Sequence, residues 1–186
     1  MKSDIRAEPP SNKRGKTALT LIGLISDTHD NVEAIRKAVE AFNRRNVEVV
    51  LHAGDYVSPF TAKFFQGLKP KLIGVYGNVD GEKEILRQRY LETLGAEIRG
   101  EFAEVEARNW KIALIHGVYQ PLVEALALSG RYRAVVRGHT HKPEAIRVGG
   151  TLIVNPGEAC GYLTGKQTIA FLDLEKLEVE FVELNP

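Results

Sequence analysis

Five short segments of the sequence carry side chains that could bind a metal ion, and each directly follows an apolar run. They are Ser26-Asp27-Thr28-His29, Gly54-Asp55, Gly77-Asn78-Val79-Asp80, His116-Gly117 and Gly138-His139-Thr140-His141. In the first and last segments the two candidate ligands stand two residues apart. Extended backbone points residues i and i+2 to the same side, so each pair can offer two ligands to one centre.

The donor types indicate which ions would bind. Imidazole nitrogen together with carboxylate and amide oxygen suits Mn²⁺, Fe²⁺, Zn²⁺ or Ni²⁺ better than Mg²⁺ or Ca²⁺, which prefer oxygen alone. A structural zinc site is not expected, because Cys160 is the only cysteine. Two ions roughly 3.5–4 Å apart can clamp the attacking and leaving oxygens of a phosphoryl group, with a shared water as the hydroxide nucleophile. A carboxylate such as that of Asp55 could bridge them.

Each segment has an ordinary explanation when it is taken alone. A single histidine is more often a packed or surface residue than a ligand, an aspartate at a strand end usually caps a turn, and Gly-Asn is a common turn pair. However, all five histidines lie at or just beyond predicted strand ends: His29, His52, His116, His139 and His141. The joint pattern therefore favours one shared site.

Alternating strands and helices are predicted to position these segments. Apolar runs at 19–26, 47–52 and 72–76 read as buried strands, and helices are predicted after Asp30 or Asn31, from Ser58-Pro59 to Phe65, and at 82–94. This order predicts right-handed βαβ units and a parallel sheet, in which ligand sites collect beyond the carboxyl ends of the strands.

The second half of the chain is richer in strand. Strands are predicted at 97–106, 110–115, 134–137, 145–148, 151–154, 168–174 and 178–183, with one helix at 121–129. So many strands in one domain predict an α/β fold of four layers, an αββα sandwich in which two packed mixed β-sheets are flanked by helices.

Length and composition place the chain among folded globular proteins. Its 186 residues suit one domain, predicted at 18–186 after a flexible polar tail at 1–17. The net charge of +1 gives no overall attraction for nucleic acid or anionic membranes. A single cysteine and the lack of a run of about 18 apolar residues predict a cytoplasmic protein.

In their order along the chain, the five segments resemble the motif set of the calcineurin-like metallophosphoesterases. The likeness runs from residue 26 to residue 141. The short chain, His139-Thr140-His141-Lys142-Pro143 and Asn155-Pro156-Gly157 resemble in particular the small, single-domain YfcE-like phosphodiesterases. This resemblance implies a double β-sandwich flanked by helices and a centre of two divalent metal ions. Mn²⁺ is the expected ion, with Ni²⁺, Fe²⁺ and Zn²⁺ as alternatives.

The resemblance also assigns ligands position by position. One ion would be held by Asp27, His29, Asp55 and His141, and the other by Asp55, Asn78, His116 and His139. Asp55 would then bridge the two ions. The candidate catalytic residues are Asp55, Asn78 and His116.

Some positions lie outside the family pattern. Val79 stands where many relatives have a histidine that protonates the leaving group, so weak activity on poor leaving groups is expected. Asp80 is interpreted as a turn cap rather than a substitute acid. Glu158 is interpreted as a solvated loop residue rather than one that tunes substrate access, and Arg137 as a surface charge at a strand end rather than one that steers an anionic substrate. His52 is interpreted as a residue that supports or packs beneath the ligand loops.

The implied function is hydrolysis of a small phosphate-ester substrate, a phosphodiester more than a phosphomonoester, by a hydroxide that bridges two metal ions. The alternative is a non-enzymatic scaffold or interaction protein that keeps the fold, like a subunit of the retromer coat in which the ligand set is eroded. Here every ligand position holds a competent side chain, which favours the enzyme. A nuclease is disfavoured by the near-neutral charge. No membrane partner is expected, and a homo-oligomer is left open.

Overall fold

Eleven strands and four helices make up residues 21–185, the part of the chain that the computed structural model describes. Strands β1 to β11 span Leu21–Ile25, Val49–His52, Lys71–Gly74, Glu97–Ile98, Phe102–Ala107, Trp110–Ile115, Ala134–Val136, Pro143–Val148, Thr151–Pro156, Thr168–Asp173 and Glu178–Glu183. Helices α1 to α3 span Val32–Arg45, Lys83–Leu94 and Gln120–Leu128, and a 3₁₀ helix spans Pro59–Phe65. The tail predicted at 1–17 lies outside the described residues.

The strands form two mixed sheets. The first has six strands in the order β11-β10-β1-β2-β3-β4, in which β1 to β4 are parallel, β10 is antiparallel to β1, and β11 is antiparallel to β10. The second has five strands in the order β5-β6-β7-β9-β8, with β6, β7 and β9 parallel. The predicted parallel βαβ arrangement of the first half is confirmed.

Three groups of buried side chains hold the layers together. One fills the space between the sheets and includes Leu24 and Leu51 from the first sheet and Leu114 and Val136 from the second. The second group packs α1, α2 and the 3₁₀ helix on the outer face of the first sheet, and the third packs α3 on the second sheet. The αββα prediction is therefore confirmed.

Local sequence signals explain where the helices begin and end. The side chain of Asn31 caps α1 by accepting a hydrogen bond of 3.1 Å from the amide of Ala34. Helix α2 ends at Gly95, whose φ of 65° is the left-handed conformation that glycine adopts at little cost. Within residues 21–185, no helix combines the length and the apolar character needed to cross a bilayer.

One predicted strand is wrong. The sequence predicts a single strand at 97–106, whereas the structure has β4 in the first sheet and β5 in the second. Between them Gly100 has a φ of 83°, which breaks the extended run and carries the chain from one sheet to the other. The carbonyl of Gly100 accepts a hydrogen bond of 2.8 Å from the amide of Tyr76.

Candidate metal centre

Five loops converge at the carboxyl ends of β1, β2, β3, β6 and β7, and they carry all seven predicted ligands. Backbone hydrogen bonds tie the loops together. The amide of Asp27 donates to the carbonyl of Gly54 at 3.0 Å, and the amide of Gly138 donates to the carbonyl of His116 at 3.0 Å. Between the two sheets, the amide of His139 donates to Oδ2 of Asp27 at 3.1 Å. Both sheets therefore contribute to one site, as the sequence predicted for the strand ends.

Two glycines let these loops approach each other closely. A Cβ atom at Gly77 would lie 2.0 Å from Oδ1 of Asp55, and one at Gly138 would lie 1.9 Å from Oγ of Ser26. Any larger residue would push the loops apart at these points. The glycines of the Gly77-Asn78 and Gly138-His139 segments are thus needed for the loops to converge.

Most of the predicted ligands have left-handed backbone. The φ angle is 53° at Asp27, 37° at His29, 59° at Asp55, 71° at His139 and 61° at His141. Such a conformation costs a non-glycine residue roughly 1 kcal/mol or more. The surrounding hydrogen bonds and packing must hold these residues in this conformation. No pattern in the sequence predicts the left-handed conformation at these positions.

The structure brings Asp27, His29, Asp55 and His141 into one group, in which one ligand atom of each lies within 4.8 Å of the others. Oδ1 of Asp27 lies 3.3 Å from Nε2 of His141 and 3.7 Å from Nε2 of His29. Oδ1 of Asp27 and Nε2 of His29 are buried, and neither hydrogen-bonds to any described residue. Buried polar atoms normally have partners, so this pair fits a site that binds a cation.

A second group forms beside the first. Oδ1 of Asn78 lies 3.0 Å from Nε2 of His116 and 2.9 Å from Nδ1 of His139. Oδ2 of Asp55 lies 3.2 Å from Nε2 of His116 and 3.6 Å from Nε2 of His29. The Asp55 carboxylate therefore faces both groups, which is the position of a bridging ligand.

Burial and neighbouring charges shift the pKa values of the candidate ligands. Burial raises the pKa of Asp55, but the neighbouring His116 and His29 imidazoles and the amide of Val79 outweigh it, so the pKa lies below its ordinary value. The neighbouring Asp27 carboxylate raises the pKa of His29, and burial lowers that of His139. Protons and metal ions compete for the imidazole nitrogens, so metal affinity falls as the pH is lowered.

Two imidazole rings are oriented by contacts on the side away from the centre. Nδ1 of His116 lies 2.7 Å from the carbonyl oxygen of Ala53, so it carries the proton and leaves Nε2 free to face Asn78. Nδ1 of His141 lies 2.7 Å from Oε2 of Glu158, and Nε2 faces Asp27. Contacts of this kind fix the tautomer and the ring orientation of metal-binding histidines.

The interpretation of Glu158 as a solvated residue is wrong. Its side chain is fully buried, and besides His141 it accepts hydrogen bonds from the amide of Leu163 at 3.0 Å and from Oγ1 of Thr164 at 2.7 Å. Burial raises its pKa, but the hydrogen bonds from His141 and Thr164 outweigh it and hold the pKa at about 2. Glu158 is therefore an ionised carboxylate that supports a predicted ligand. The only sequence signal for it is its place directly after Asn155-Pro156-Gly157.

The interpretation of Arg137 as a surface charge is also wrong. It is 3% exposed rather than a surface charge. Its Nε donates to the carbonyl of Gly138 at 3.3 Å, its guanidinium contacts Gln120, and burial lowers its pKa. Arg137 thus links the loop after β7 to the start of α3.

His52 is not among the grouped donor atoms, whereas Sγ of Cys160 lies within 4.8 Å of a ligand atom of both His29 and His141. His52 is buried, its ring stacks on Tyr56 with centroids 3.7 Å apart, and its Nδ1 accepts a hydrogen bond of 3.1 Å from the amide of Gly54. This agrees with the predicted packing role. The buried thiol of Cys160 donates to Glu158 at 3.1 Å, and burial raises its pKa to about 12, so it is not a reactive thiolate.

The buried carboxylate of Asp80 holds the loops after β2 and β3 together by accepting hydrogen bonds from their backbone amides. Its Oδ2 accepts hydrogen bonds from the amides of Asp55 at 3.1 Å and Gly77 at 2.7 Å, and its Oδ1 accepts one from Val57 at 2.8 Å. The side chain is 3% exposed. Because both oxygens are occupied by backbone amides, Asp80 has no free atom with which to protonate a substrate.

We expect Asp80→Asn to lower stability and leave the pH–rate profile unchanged in shape. The amide nitrogen of asparagine would face backbone donors, which costs about 1–3 kcal/mol. Thermal unfolding and kcat at a series of pH values measure the two effects. Loss of one limb of the profile would show instead that Asp80 acts as an acid.

Comparisons with known proteins all point to one family. Residues 21–177 match the model of the calcineurin-like phosphoesterase superfamily domain. A phosphodiesterase of Methanocaldococcus jannaschii is 44% identical over 164 residues, which is 88% of this chain and 99% of that protein.

Solved structures agree with that match. An archaeal phosphodiesterase has a TM-score of 0.84 at 44% identity and covers 88% of this chain and 99% of its own. YfcE, a phosphoesterase from E. coli, has a TM-score of 0.64 at 19% identity and covers 89% and 100%. The likeness to YfcE is one of fold.

Proposed function

The chain belongs to the calcineurin-like phosphoesterase superfamily, and from this membership we propose a specific activity and site. The protein hydrolyses small phosphodiesters at a centre of two divalent cations. The proposed ligands are Asp27, His29, Asp55, Asn78, His116, His139 and His141. The observation that carries the proposal is the convergence of side-chain donors from five loops around buried atoms, Oδ1 of Asp27 and Nε2 of His29, that lack partners among the described residues.

The proposed roles follow from the contacts. When bound, the two cations neutralise charge on the phosphate and lower the pKa of water, which supplies a nucleophile near neutral pH. Asp55 faces both ligand groups. In the second group, His116 contacts Asp55 and Asn78 contacts His116. The Ala53 carbonyl holds His116 in the tautomer that directs Nε2 inward.

Protonation of the leaving group is the weak part of this site. The side chain of Val79 is 43% exposed at the mouth of the centre and cannot donate a proton. Asp80 is occupied by backbone amides, and Cys160 is held by Glu158. The enzyme should therefore favour esters whose leaving groups depart without an acid, such as aryl esters.

The ion, the location and the domain limits are further proposals. Four imidazoles with carboxylate and amide oxygens favour Mn²⁺, with Ni²⁺, Fe²⁺ and Zn²⁺ as alternatives. The cytoplasmic location and a single domain at 18–186 stay predictions from the sequence. The complete donor set is the argument against the non-enzymatic scaffold.

The activity is tested by removing metal, restoring one ion at a time, and comparing bis(4-nitrophenyl) phosphate with 4-nitrophenyl phosphate. We expect turnover with Mn²⁺ and a preference for the diester of about tenfold in kcat/KM, equivalent to about 1.4 kcal/mol. Bound metal is measured in the same samples. A folded, metal-loaded protein that hydrolyses neither ester with Mn²⁺, Ni²⁺, Fe²⁺ or Zn²⁺ would support the scaffold instead.

A further inference from the structure

Two cavities open on either side of the candidate metal centre and meet at Asn78. The larger has a volume of ≈ 420 Å³, and its wall beyond the centre is formed by Tyr76, Ile115, Val118, Tyr119 and Leu122. The smaller has a volume of ≈ 320 Å³, and its wall is completed by Val79, Thr140, Tyr162 and Leu163. Both therefore have apolar or aromatic walls next to a polar centre.

The apolar residues at the two mouths are unusually exposed. Tyr119 is 74% and Leu122 47% exposed at the larger cavity, and Tyr162 is 63% and Leu163 76% exposed at the smaller. Exposed apolar side chains gathered at a polar pocket are typical of a ligand-binding surface.

Each cavity also contains proposed metal ligands. His116 and Asn78 line the larger one, and Asp55, His139 and His141 are among those that line the smaller one. The two cavities therefore adjoin the centre from different sides and share Asn78. A phosphodiester has two organic groups, whereas a monoester has one.

The charge of the walls limits what the organic groups can be. Within residues 21–185, Lys83 is the one lysine or arginine that lines the larger cavity, and its Nζ is paired with Glu101 at 2.5 Å. No lysine or arginine from the described part of the chain lines the smaller cavity. The described residues thus give neither wall an unpaired lysine or arginine that could bind a second phosphate or a carboxylate.

We infer that the two cavities bind the two ester groups of one phosphodiester, one group in each, and that both groups are uncharged and apolar or aromatic. This inference rests on the proposed phosphodiesterase activity and specifies its substrate class. It also supplies a reason for diester preference, because a monoester would fill one cavity and leave the other to water.

Three matched leucine-to-alanine substitutions test the inference. Leu122→Ala alters the larger cavity and Leu163→Ala the smaller, while Leu128→Ala is the control, because Leu128 is 70% exposed on α3 and lines neither cavity. The substrates are bis(4-nitrophenyl) phosphate, with two aryl groups, and methyl 4-nitrophenyl phosphate, with one. Both release 4-nitrophenolate, so the chemical step is closely similar.

With the bis-aryl ester, we expect kcat/KM to fall about fivefold in both Leu122→Ala and Leu163→Ala, since each removes apolar contact with one ring. With the methyl aryl ester, we expect a fall in only one of the two variants, namely the one whose cavity receives the aryl group. Leu128→Ala should match the parent on both substrates.

Two results would overturn the inference while the phosphodiesterase activity stood. In the first, both cavity variants keep the parent rate on the bis-aryl ester. In the second, both variants lower the rates on both substrates equally, which would indicate a general disturbance of the centre. If the metal-loaded parent hydrolyses neither diester, the proposed function itself fails.

Discussion

Asp55→Asn is expected to lower kcat/KM for bis(4-nitrophenyl) phosphate by at least about a thousandfold, equivalent to about 4 kcal/mol. Oδ2 of Asp55 faces Nε2 of both His116 and His29, at 3.2 and 3.6 Å. Asparagine has nearly the same shape but offers one neutral oxygen where the carboxylate offers two charged ones. It can thus serve one of the two proposed cations and neutralise neither.

Steady-state kinetics and bound-metal analysis on the same samples measure this effect. Asp173→Asn is a matched control, because Asp173 ends β10 and its Oδ1 accepts hydrogen bonds from the amides of Glu175 and Lys176, apart from the metal centre. If Asp55→Asn retained more than about a tenth of the parent activity at full metal occupancy, the bridging role of Asp55 would be refuted.

Glu158→Gln is expected to weaken Mn²⁺ binding by about 10–100-fold, the usual loss when the partner of a metal-binding histidine is removed. The glutamate carboxylate accepts hydrogen bonds from His141, Cys160, Leu163 and Thr164. A glutamine side chain would turn an NH₂ group toward some of these donors and would carry no charge. The His141 ring would then be held less firmly.

Calorimetric titration of the metal-free protein with Mn²⁺ measures this affinity, and thermal unfolding without metal separates it from loss of fold. Glu178→Gln on β11 is the matched control, since Glu178 is exposed and lies outside both cavities. Parent-like affinity in a folded Glu158→Gln protein would show that this carboxylate does not support the metal site.

The arrangement of the strands could be read from the sequence because apolar runs and helix caps are local signals. Strands β6 and β11 begin and end at the predicted residues 110–115 and 178–183. The point where the chain changes sheet could not be read in this way, because a glycine inside a strand pattern can equally mark a bulge within one strand. It depends on the left-handed conformation of Gly100, which is visible only in the folded backbone.

The candidate ligands could be found from the sequence because they follow apolar runs in a recognisable order. Their supports could not, because these supports are buried polar groups that meet distant partners. Glu158 reaches His141 from 17 residues away, and Arg137 contacts Gln120 on another element. A charged residue in a loop is usually solvated, so composition gives the wrong answer wherever tertiary contacts supply compensating hydrogen bonds.

The left-handed backbone at Asp27, His29, Asp55, His139 and His141 sets catalytic competence against chain stability. The unfavourable φ angle of each of these residues is released on unfolding, which lowers the free energy of unfolding. An ion that binds only the folded centre raises the free energy of unfolding by mass action. A glycine at such a position would remove the backbone strain, but it would also remove a side chain that could bind the metal. Substitutions at these positions that raise the stability of the fold are therefore expected to lower catalytic activity.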